Sequence, residues 1–494
     1  MKNTFSMKMK TIFALFLMSV LVSSCQLRPG TANENEDLTA KYFESIIKQN
    51  DIAQLTLFFT QMPKGGDIHH HYSGAIYAET YLNWAAERQI TINSLTYRLD
   101  TAGTLKIPYI TIDSLKNNSI LYRAVLQKWS DMDFTNQCQI QDTPDQHFFN
   151  TFSYFGTISS LEFKAGLANI KSRAKKENVQ YVETMISSSP YKMTFNPDTL
   201  DLFAYYQKNL DAERLEDLLN ALSMKIVSTP DYDAWVTAYS KRLYRYHEDI
   251  DDADFTMRFQ TYATRNSRID EVFSKLYSCF DVVTRDKSSL IVGVNFVGPE
   301  NGVVAMRDYW LHMQILKFLK KKFPTVKIAL HAGELALGMV TPDDLTYHIT
   351  DAVFVAGASR IGHGVDLPYE PRANEVLKKM KDSQIAVEIN LTSNEFILGV
   401  KNEDHPINMY YQARVPLVLG TDDAGVSRNN LTSEYVKLVT RYKFNYQQIK
   451  ELVYNSIKYS FIDKDKKKEL IEMLDQKFVY FESKVAAQYS VQKK

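Results

Sequence analysis

The second half of the chain alternates between short, continuously apolar runs and longer amphipathic stretches. Such runs are typical of parallel strands buried on both faces, and the stretches between them have the spacing of helices that pack on a sheet. The runs are Leu290–Val297, Val326–Leu330, Ser359–Ile361, Ile385–Ile389 and Val415–Leu419, and the helical stretches are Met306–Lys321, Pro342–Val355, Ala373–Ser383 and Pro406–Gln412.

Three further strands are expected in the first half, at Gly65–His69, Gln180–Ile186 and Phe255–Tyr262. They bring the number of strands to about eight, which is the number in a TIM-type barrel. The pattern therefore predicts an α/β fold, a (β/α)8 TIM-type barrel, although an open doubly wound sheet shows the same alternation.

Other segments depart from this alternation. Thr91 to Thr143 is rich in Asn, Thr and Ser, so we expect an insertion after the first strand–helix unit. A weak strand signal lies at Ser223–Ser228, and Phe444 to Ala487 has a helical, charged pattern that predicts extra helices.

The N-terminus has the pattern of a signal peptide. Basic residues precede an apolar run from Thr11 to Val22, which is shorter than the roughly 20 residues of a membrane span. Leu21 to Cys25 resembles a bacterial lipobox, in which Cys25 would be lipidated, and plain secretory cleavage is the alternative. We therefore expect a signal peptide at 1–25, a polar tether at 26–37, and a barrel domain at 38–494. The protein would be exported, either lipid-anchored in the cell envelope or periplasmic or secreted.

The composition indicates which class of binding partner to expect. The chain has 58 Lys+Arg and 58 Asp+Glu, so no overall basic field favours nucleic acid, and a small-molecule ligand is expected. Its three cysteines do not make a disulfide framework. Cys138 and Cys279 are expected to be separate buried thiols.

Polar residues follow the predicted strands where each strand ends. Ile328–Leu330 leads into His331 and Glu334, Arg360-Ile361 into His363, and Val418-Leu419 into Asp422-Asp423. In a β/α barrel the carboxyl ends of all strands meet on one face, where active sites lie. These side chains are therefore predicted to form one site.

The residue types are those of a metal-dependent hydrolase. Strand alternation places His69 and His71 on one face and His70 on the other. With His331 and Asp422 they form an N/O donor set that suits zinc. Glu334 is placed to act as a general acid, and His363 to hold and deprotonate a metal-bound water.

The remaining polar residues have simpler interpretations. Asp423 would be free to accept a hydrogen bond from substrate, although an Asp-Asp pair after a strand often caps a helix. Glu183 is expected to form a structural ion pair. A histidine between glycines, like His363, is more often structural when taken alone. The other histidines are not assigned a function; they are His147, His247, His312, His348 and His405.

Together these motifs resemble those of the adenosine deaminase family, within the amidohydrolase superfamily. The motifs, in family order from Met62 to Asp423, are Met62-Pro-Lys-Gly-Gly-Asp-Ile-His69-His-His71, His331-Ala-Gly-Glu334, Gly-His363-Gly, Ser393-Asn394 and Thr-Asp422-Asp423. The Met-Pro-Lys-Gly opening, the secretion signal and the insertion resemble the secreted, growth-factor-type branch more than the compact cytosolic enzymes.

The resemblance implies hydrolytic deamination of adenosine or deoxyadenosine to inosine or deoxyinosine and ammonia. It assigns one zinc ion to four ligands, namely His69, His71, His331 and Asp422. It makes Glu334 the proton donor to purine N1 and His363 the water-orienting histidine, with Asp422 also counted among the catalytic residues. Asp423 is expected to contact N7, and the backbone of Gly298 to contact the purine near N3.

Two positions refine the resemblance. Compact members carry an Asp two residues after the second metal histidine, where it helps bind the sugar, but this chain has Ser73, whose hydroxyl can still bond a ribose. No lysine lies in Ile291–Gly298, where binuclear members often carry a carbamylated lysine, so a single metal ion is favoured. The alternatives are a deaminase or hydrolase of the same fold that acts on another purine derivative or nucleotide, and a non-catalytic binding or signalling protein.

Overall fold

The computed structural model describes residues 32–134, 142–189 and 191–492. The predicted signal peptide, the lipidation site Cys25, and Cys138 lie outside the described residues. Cys279 is a buried free thiol. Within the described ranges, no helix combines the length and the apolar character that a membrane crossing needs.

Eleven strands form two sheets in this part of the chain. The strands are β1 (Gly65–His71), β2 (Thr91–Asn93), β3 (Leu99–Asp100), β4 (Tyr109–Thr111), β5 (Val179–Ser188), β6 (Thr256–Thr264), β7 (Ile291–Val297), β8 (Ile328–Ala332), β9 (Arg360–His363), β10 (Ala386–Ile389) and β11 (Leu417–Leu419). Eight of them pair in parallel in the order β1-β5-β6-β7-β8-β9-β10-β11, and all eight predicted strands are confirmed.

The helices connect these strands and cover the sheet. They are α1 (Ala32–Gln49), α2 (Ile52–Gln61), α3 (Tyr72–Ala75), α4 (Ala78–Glu87), α5 (Ile112–Lys116), α6 (Ser119–Trp129), α7 (Pro144–Leu161), α8 (Phe163–Lys176), α9 (Pro197–Lys208), α10 (Ala212–Val227), α11 (Tyr232–His247), α12 (Ile269–Arg285), α13 (Val303–Arg307), α14 (Tyr309–Lys322), α15 (His348–Phe354), α16 (Ala373–Asp382), α17 (Leu391–Leu398), α18 (Ile407–Gln412), α19 (Leu431–Tyr442), α20 (Tyr446–Lys458) and α21 (Lys464–Gln492).

The ring of strands closes just beyond β11. Asp422 N donates to the carbonyl of His69 at 2.9 Å, and His71 N donates to the carbonyl of Asp422 at 3.2 Å. The first strand therefore pairs with the segment that follows the last one, and the open-sheet alternative is wrong. We call this junction the seam; the fold is the predicted (β/α)8 barrel.

The predicted insertion at 91–143 contains its own small structure. β2 pairs antiparallel with β3 and with β4, and α5 and α6 follow. The next helix, α7, crosses towards the barrel mouth, because Asn301 Nδ2 donates to Asp145 Oδ2 at 2.9 Å and Phe155 stacks on Tyr81 of α4. The insertion is thus linked through α7 to the carboxyl ends of the strands.

Two predictions of local structure are wrong. Ser223–Ser228 belongs to α10 and its C-cap, because Leu215, Leu219, Leu222 and Ile226 recur with helical spacing and are all buried. Residues 32–37 of the tether predicted at 26–37 belong to α1, which begins at Ala32 and packs against the C-terminal helix α21, while 26–31 lie outside the described residues.

Candidate metal and catalytic site

β1 presents its three histidines to two different environments. His70 turns away from the barrel centre, and its Nδ1 lies 2.9 Å from Thr184 Oγ1. His71 Nε2 lies 3.2 Å from His331 Nε2 and 3.3 Å from Asp422 Oδ1, while His69 Nε2 lies 3.5 Å from the same oxygen. The structure therefore separates the histidines as the alternation predicted.

The four predicted ligands converge on one point. One ligand atom from each of His69, His71, His331 and Asp422 lies within 4.8 Å of all the others. Two ligands held 2.0–2.1 Å from zinc at a tetrahedral angle are roughly 3.3 Å apart, which matches the measured separations. His69 Nε2 is buried and has no hydrogen-bond partner among the described residues. The donor set thus fits one divalent cation.

Each of two ligands is held through its other ring nitrogen. His69 Nδ1 lies 2.5 Å from Glu388 Oε2, and His331 Nδ1 lies 2.9 Å from Asn295 Oδ1. Because a carboxylate and an amide oxygen only accept hydrogen bonds, both Nδ1 atoms carry a proton, which leaves the two Nε2 atoms as the possible ligand atoms. A Cβ at Gly362 would lie 2.8 Å from the His69 ring, so glycine is needed there.

Electrostatics favour a neutral ring for two of the three ligand histidines, His71 and His331. Burial lowers the pKa of His71 to about 4, and burial together with His69 and His363 holds the pKa of His331 well below its ordinary value. Burial opposes a charge on His69 as well, but the nearby carboxylates of Asp422 and Glu388 raise its pKa to about 10. A bound cation would replace that proton between His69 and Asp422.

Glu334 is a buried carboxyl beside this cluster. Burial and the charges of Asp422 and Glu300 raise the pKa of Glu334 well above its usual range, so it is a neutral acid with a proton to donate. Its backbone N–H donates to Glu300 Oε2 at 2.8 Å, and Glu300 Oε1 lies 2.6 Å from His348 Nδ1. Arg265 donates to the carbonyl of His331 at 2.7 Å, so these buried groups hold the His331–Glu334 turn.

His363 accepts a hydrogen bond at Nδ1, the atom that is protonated in His69 and His331. Ile407 N donates to His405 Nδ1 at 3.2 Å, so His405 Nε2 carries a proton for Asn394 Oδ1, 3.1 Å away. The amide nitrogen of Asn394 then donates to His363 Nδ1 at 2.9 Å. Burial lowers the pKa of His363 to about 3, so this neutral ring carries its proton on Nε2, 4.0 Å from Asp422 Oδ2.

The pKa values of the two adjacent aspartates are shifted in opposite directions. Burial opposes ionisation of Asp422, but His69 holds the pKa of Asp422 well below its usual range. Burial and the charge of Asp422 raise the pKa of Asp423 well above its usual range, which favours a protonated carboxyl that can donate a hydrogen bond. A Cβ at Gly74 would lie 1.6 Å from Asp423 Oδ1, so only glycine admits this carboxyl.

These groups open into a cavity of about 280 Å³. Its lining includes the predicted substrate-binding residues Ser73, Gly298 and Asp423, and three aromatic side chains of α7, namely Phe148, Phe149 and Phe152. Among the described residues that line it, none is lysine or arginine. The cavity is therefore an apolar pocket with acids and imidazoles at one side.

Several residues of the site have no place in the sequence predictions. They are Arg265, Asn295, Glu300, Glu388 and the phenylalanines of α7. Glu388 had a visible signal, since it is a charge inside the apolar run Ile385–Ile389. Glu183 was expected at a strand end but lies in the middle of β5, where it forms the expected ion pair with Arg360 at 2.6 Å.

Comparisons with known proteins agree with this architecture. A family model described as adenosine deaminase matches residues 253–477. An adenosine deaminase of Enterococcus faecalis is 32% identical over 157 residues, which is 32% of this chain and 43% of that protein. The chain spans about half the length of the curated relatives it matches.

Solved structures show the same fold. The apo N6-methyl-AMP deaminase of Arabidopsis thaliana matches with a TM-score of 0.54 and 18% identity, over 85% of this chain and 98% of that one. An amidohydrolase of Burkholderia ambifaria with bound Zn matches with a TM-score of 0.51 and 15% identity, over 87% and 94%. At these identities the likeness concerns the fold alone.

Proposed function

We propose that this chain is a member of the adenosine deaminase family, whose model matches residues 253–477, and that it is a metal-dependent hydrolase that removes the amino group of a purine nucleoside. The observation that carries the proposal is the combination of a four-ligand cluster with a protonated acid, Glu334, in one cavity. A cation site alone would suit a structural role, and a buried acid alone would suit many proteins, but hydrolysis at a ring carbon needs both.

One zinc ion is the proposed cofactor. His69, His71, His331 and Asp422 would hold it, and the Nδ1 hydrogen bonds of His69 and His331 orient both rings towards it. When bound, such an ion lowers the pKa of a coordinated water to about 7. The solved amidohydrolase with bound Zn supports the choice of metal, as does the preference of zinc for imidazole and carboxylate ligands.

The two neutral acids would act on the purine ring. Glu334 donates its proton to a ring nitrogen next to the carbon that bears the amino group, which makes that carbon electrophilic. Asp423 donates a hydrogen bond to a second ring nitrogen, since purine nitrogens such as N7 offer only a lone pair. Both roles depend on the raised pKa values that burial produces.

His363 would act as a hydrogen-bond donor. With its proton on Nε2, it can orient the attacking water and stabilise negative charge that develops on its oxygen. This role agrees with the predicted water-orienting histidine, but a neutral Nε2–H cannot take a proton from that water. We therefore replace the predicted base role of His363 by that of a donor.

The cavity favours a nucleoside over a nucleotide. A phosphate group needs cationic side chains or a cluster of backbone N–H donors, and no lysine or arginine of the described chain lines the cavity. Adenosine or deoxyadenosine is thus the proposed substrate, and other purines or nucleotides are the alternatives. Sugar recognition through Ser73 is part of this proposal, since Ser73 lines the same cavity.

Export from the cytoplasm is also proposed. It rests on the signal-peptide pattern and the lipobox ending at Cys25, with anchoring by lipid as the expected outcome. Kinship with the secreted, growth-factor-type branch stays a prediction of the same kind. Membrane fractionation of wild type and Cys25→Ala tests the anchor: the variant should lose its membrane association.

Turnover of defined purines tests the function. The chain without residues 1–25 is loaded with zinc, its metal content is measured, and ultraviolet absorbance follows adenosine, deoxyadenosine, adenine and AMP. We expect about one zinc per chain, turnover of the two nucleosides, and loss of activity after chelation with recovery on adding zinc.

Each alternative gives a different result in this assay. Preference for AMP or adenine would replace the nucleoside assignment while keeping the deaminase chemistry. A zinc-loaded, folded protein that turns over none of the four purines would overturn the proposal in favour of a binding or signalling role.

A further inference from the structure

A buried cluster of polar side chains lies inside the barrel, below the candidate metal ligands. We call it the floor cluster; its members are Glu183, Gln260, Asn295, Arg360 and Glu388. All five are 0–1% exposed. Glu183 accepts four hydrogen bonds, from Arg360 at 2.6 Å, Gln260 at 2.7 Å, the Tyr181 hydroxyl at 2.8 Å and Phe461 N at 2.8 Å. Its two oxygens are thereby saturated.

One chain of contacts leads from Glu183 to His69. Arg360 donates to Glu183 through Nη2 and to Glu388 through Nε, so one guanidinium bridges two carboxylates. The other oxygen of Glu388 lies 2.5 Å from His69 Nδ1. Because the guanidinium only donates and the carboxylates only accept, the direction of every hydrogen bond in this chain is fixed.

A second chain leads from Glu183 to His331. Glu183 accepts from Gln260 Nε2, which leaves Gln260 Oε1 to accept from Asn295 Nδ2 at 2.9 Å. Asn295 Oδ1 then faces His331 Nδ1 at 2.9 Å, an orientation that Phe296 N supports by donating to the same oxygen at 2.8 Å. The amide groups thus transmit the acceptor character of Glu183 to the ring.

We propose that Glu183 is a positioning residue for two metal ligands, acting on His69 through Arg360 and Glu388 and on His331 through Gln260 and Asn295. The two chains keep both Nδ1 atoms protonated and direct both Nε2 atoms at the same point. The inference rests on the proposed metal site, but it extends to a residue that touches neither ligand. An ion pair that served only stability would not need to branch towards two ligands.

A third chain of hydrogen bonds holds His363 and does not reach the floor cluster. The Ile407 amide donates to His405, His405 donates to Asn394, and Asn394 donates to His363. His363 therefore serves as an internal reference in the same molecule: a change at Glu183 should alter His69 and His331 and leave the tautomer of His363 unchanged.

The test combines nitrogen-15 NMR of labelled histidines with zinc affinity. In the metal-free protein, ring proton–nitrogen correlations report which nitrogen of each histidine carries the proton. Glu183→Gln removes the charge that Arg360 and Gln260 share, so we expect the signals of His69 and His331 to shift. The zinc Kd, measured by competition with a chromogenic chelator, should rise about tenfold, or about 1.4 kcal/mol.

Two further variants separate the chains. Gln260→Leu should shift His331 alone, because it cuts only the second chain. Tyr181→Phe is the matched control, since it removes one hydrogen bond to Glu183 but belongs to neither chain. Its zinc affinity should stay within twofold of wild type.

The outcomes decide between positioning and plain stability. If folded Glu183→Gln keeps wild-type histidine signals and zinc affinity, Glu183 only stabilises the fold and the proposal is overturned. If that variant does not fold, Gln260→Leu decides: a shift of His331 supports the proposal, and an unchanged His331 overturns it. A wild type that binds zinc without deaminating purines would contradict the proposed function and leave this inference standing.

Discussion

Polar side chains have different surroundings in the floor cluster and at the mouth of the barrel, the region that contains Glu334, His363 and Asp423. In the floor cluster, both oxygens of Glu183 and all three nitrogens of Arg360 have hydrogen-bond partners. At the mouth, buried atoms such as His363 Nε2 and Asp423 Oδ1 have none among the described residues. Satisfied polar groups fix a structure, whereas unsatisfied ones with shifted pKa values are available to a ligand.

The largest effect is expected at the mouth, from Glu334→Gln. The amide cannot donate the ring proton, so kcat should fall by about a thousandfold or more. Zinc content and the thermal unfolding temperature should stay near wild type, because Glu334 is not among the four ligands. Turnover by absorbance and metal analysis on the same sample measure both. Activity within tenfold of wild type would show that the proton comes from another group.

The next effect is expected in the floor cluster, from Arg360→Leu. This change leaves the carboxylates of Glu183 and Glu388 buried without their shared cation, which should lower the free energy of unfolding by about 3–5 kcal/mol. Arg372→Leu is the matched control, because Arg372 pairs with Glu375 on the surface and should cost less than about 1 kcal/mol. Urea unfolding of both variants measures the difference. Equal losses would contradict the distinction between the two regions.

A smaller effect is expected from Asn394→Leu, which acts on the mouth through His363. Without the amide donor, His363 is free to carry its proton on Nδ1, so fewer molecules present Nε2–H to the attacking water. We expect kcat to fall about tenfold to a hundredfold with zinc affinity unchanged. Steady-state kinetics and zinc titration measure both quantities. A parallel loss of zinc would mean that Asn394 supports the metal site itself.

The smallest effect concerns a buried histidine that belongs to neither region. His312 packs against Phe296, and burial lowers its pKa to about 3. In the unfolded chain this histidine binds a proton near pH 6.5. The contribution of neutral His312 to the free energy of unfolding is therefore fully present above that pH. It decreases as the pH falls towards 3, by at most about 1.4 kcal/mol per pH unit. His312→Leu should reduce the stability lost between pH 7 and pH 5. Urea unfolding at both pH values tests this, and an unchanged difference would contradict it.

The mouth could be predicted from the sequence much better than the floor. His69, His71, His331 and Asp422 each stand at a strand end beside glycine or polar residues, a local signal that strand alternation makes readable. Arg360 and Glu183 are 177 positions apart, and only closure of the barrel brings them together. Charges inside apolar runs, such as Glu388, mark buried partners without saying which partners they are.

The protonation states of the site residues could not be predicted from the sequence either. The motif Asp422-Asp423 does not show that the two carboxyls differ, whereas burial next to the charge of Asp422 raises the pKa of Asp423 well above its usual range. The tautomer of His363 depends on a backbone amide, that of Ile407, which no side-chain pattern reveals. Both assignments follow from the folded environment and not from residue identity.

The seam has a consequence for the order of biosynthesis. The ribosome makes His69 and His71 early, but their carbonyl and amide partner, Asp422, emerges more than three hundred residues later. A nascent chain that stops before Asp422 lacks both the last ligand and the hydrogen bonds that close the ring. The cation site is therefore completed only when nearly the whole chain has been synthesised, so its assembly follows the assembly of the barrel.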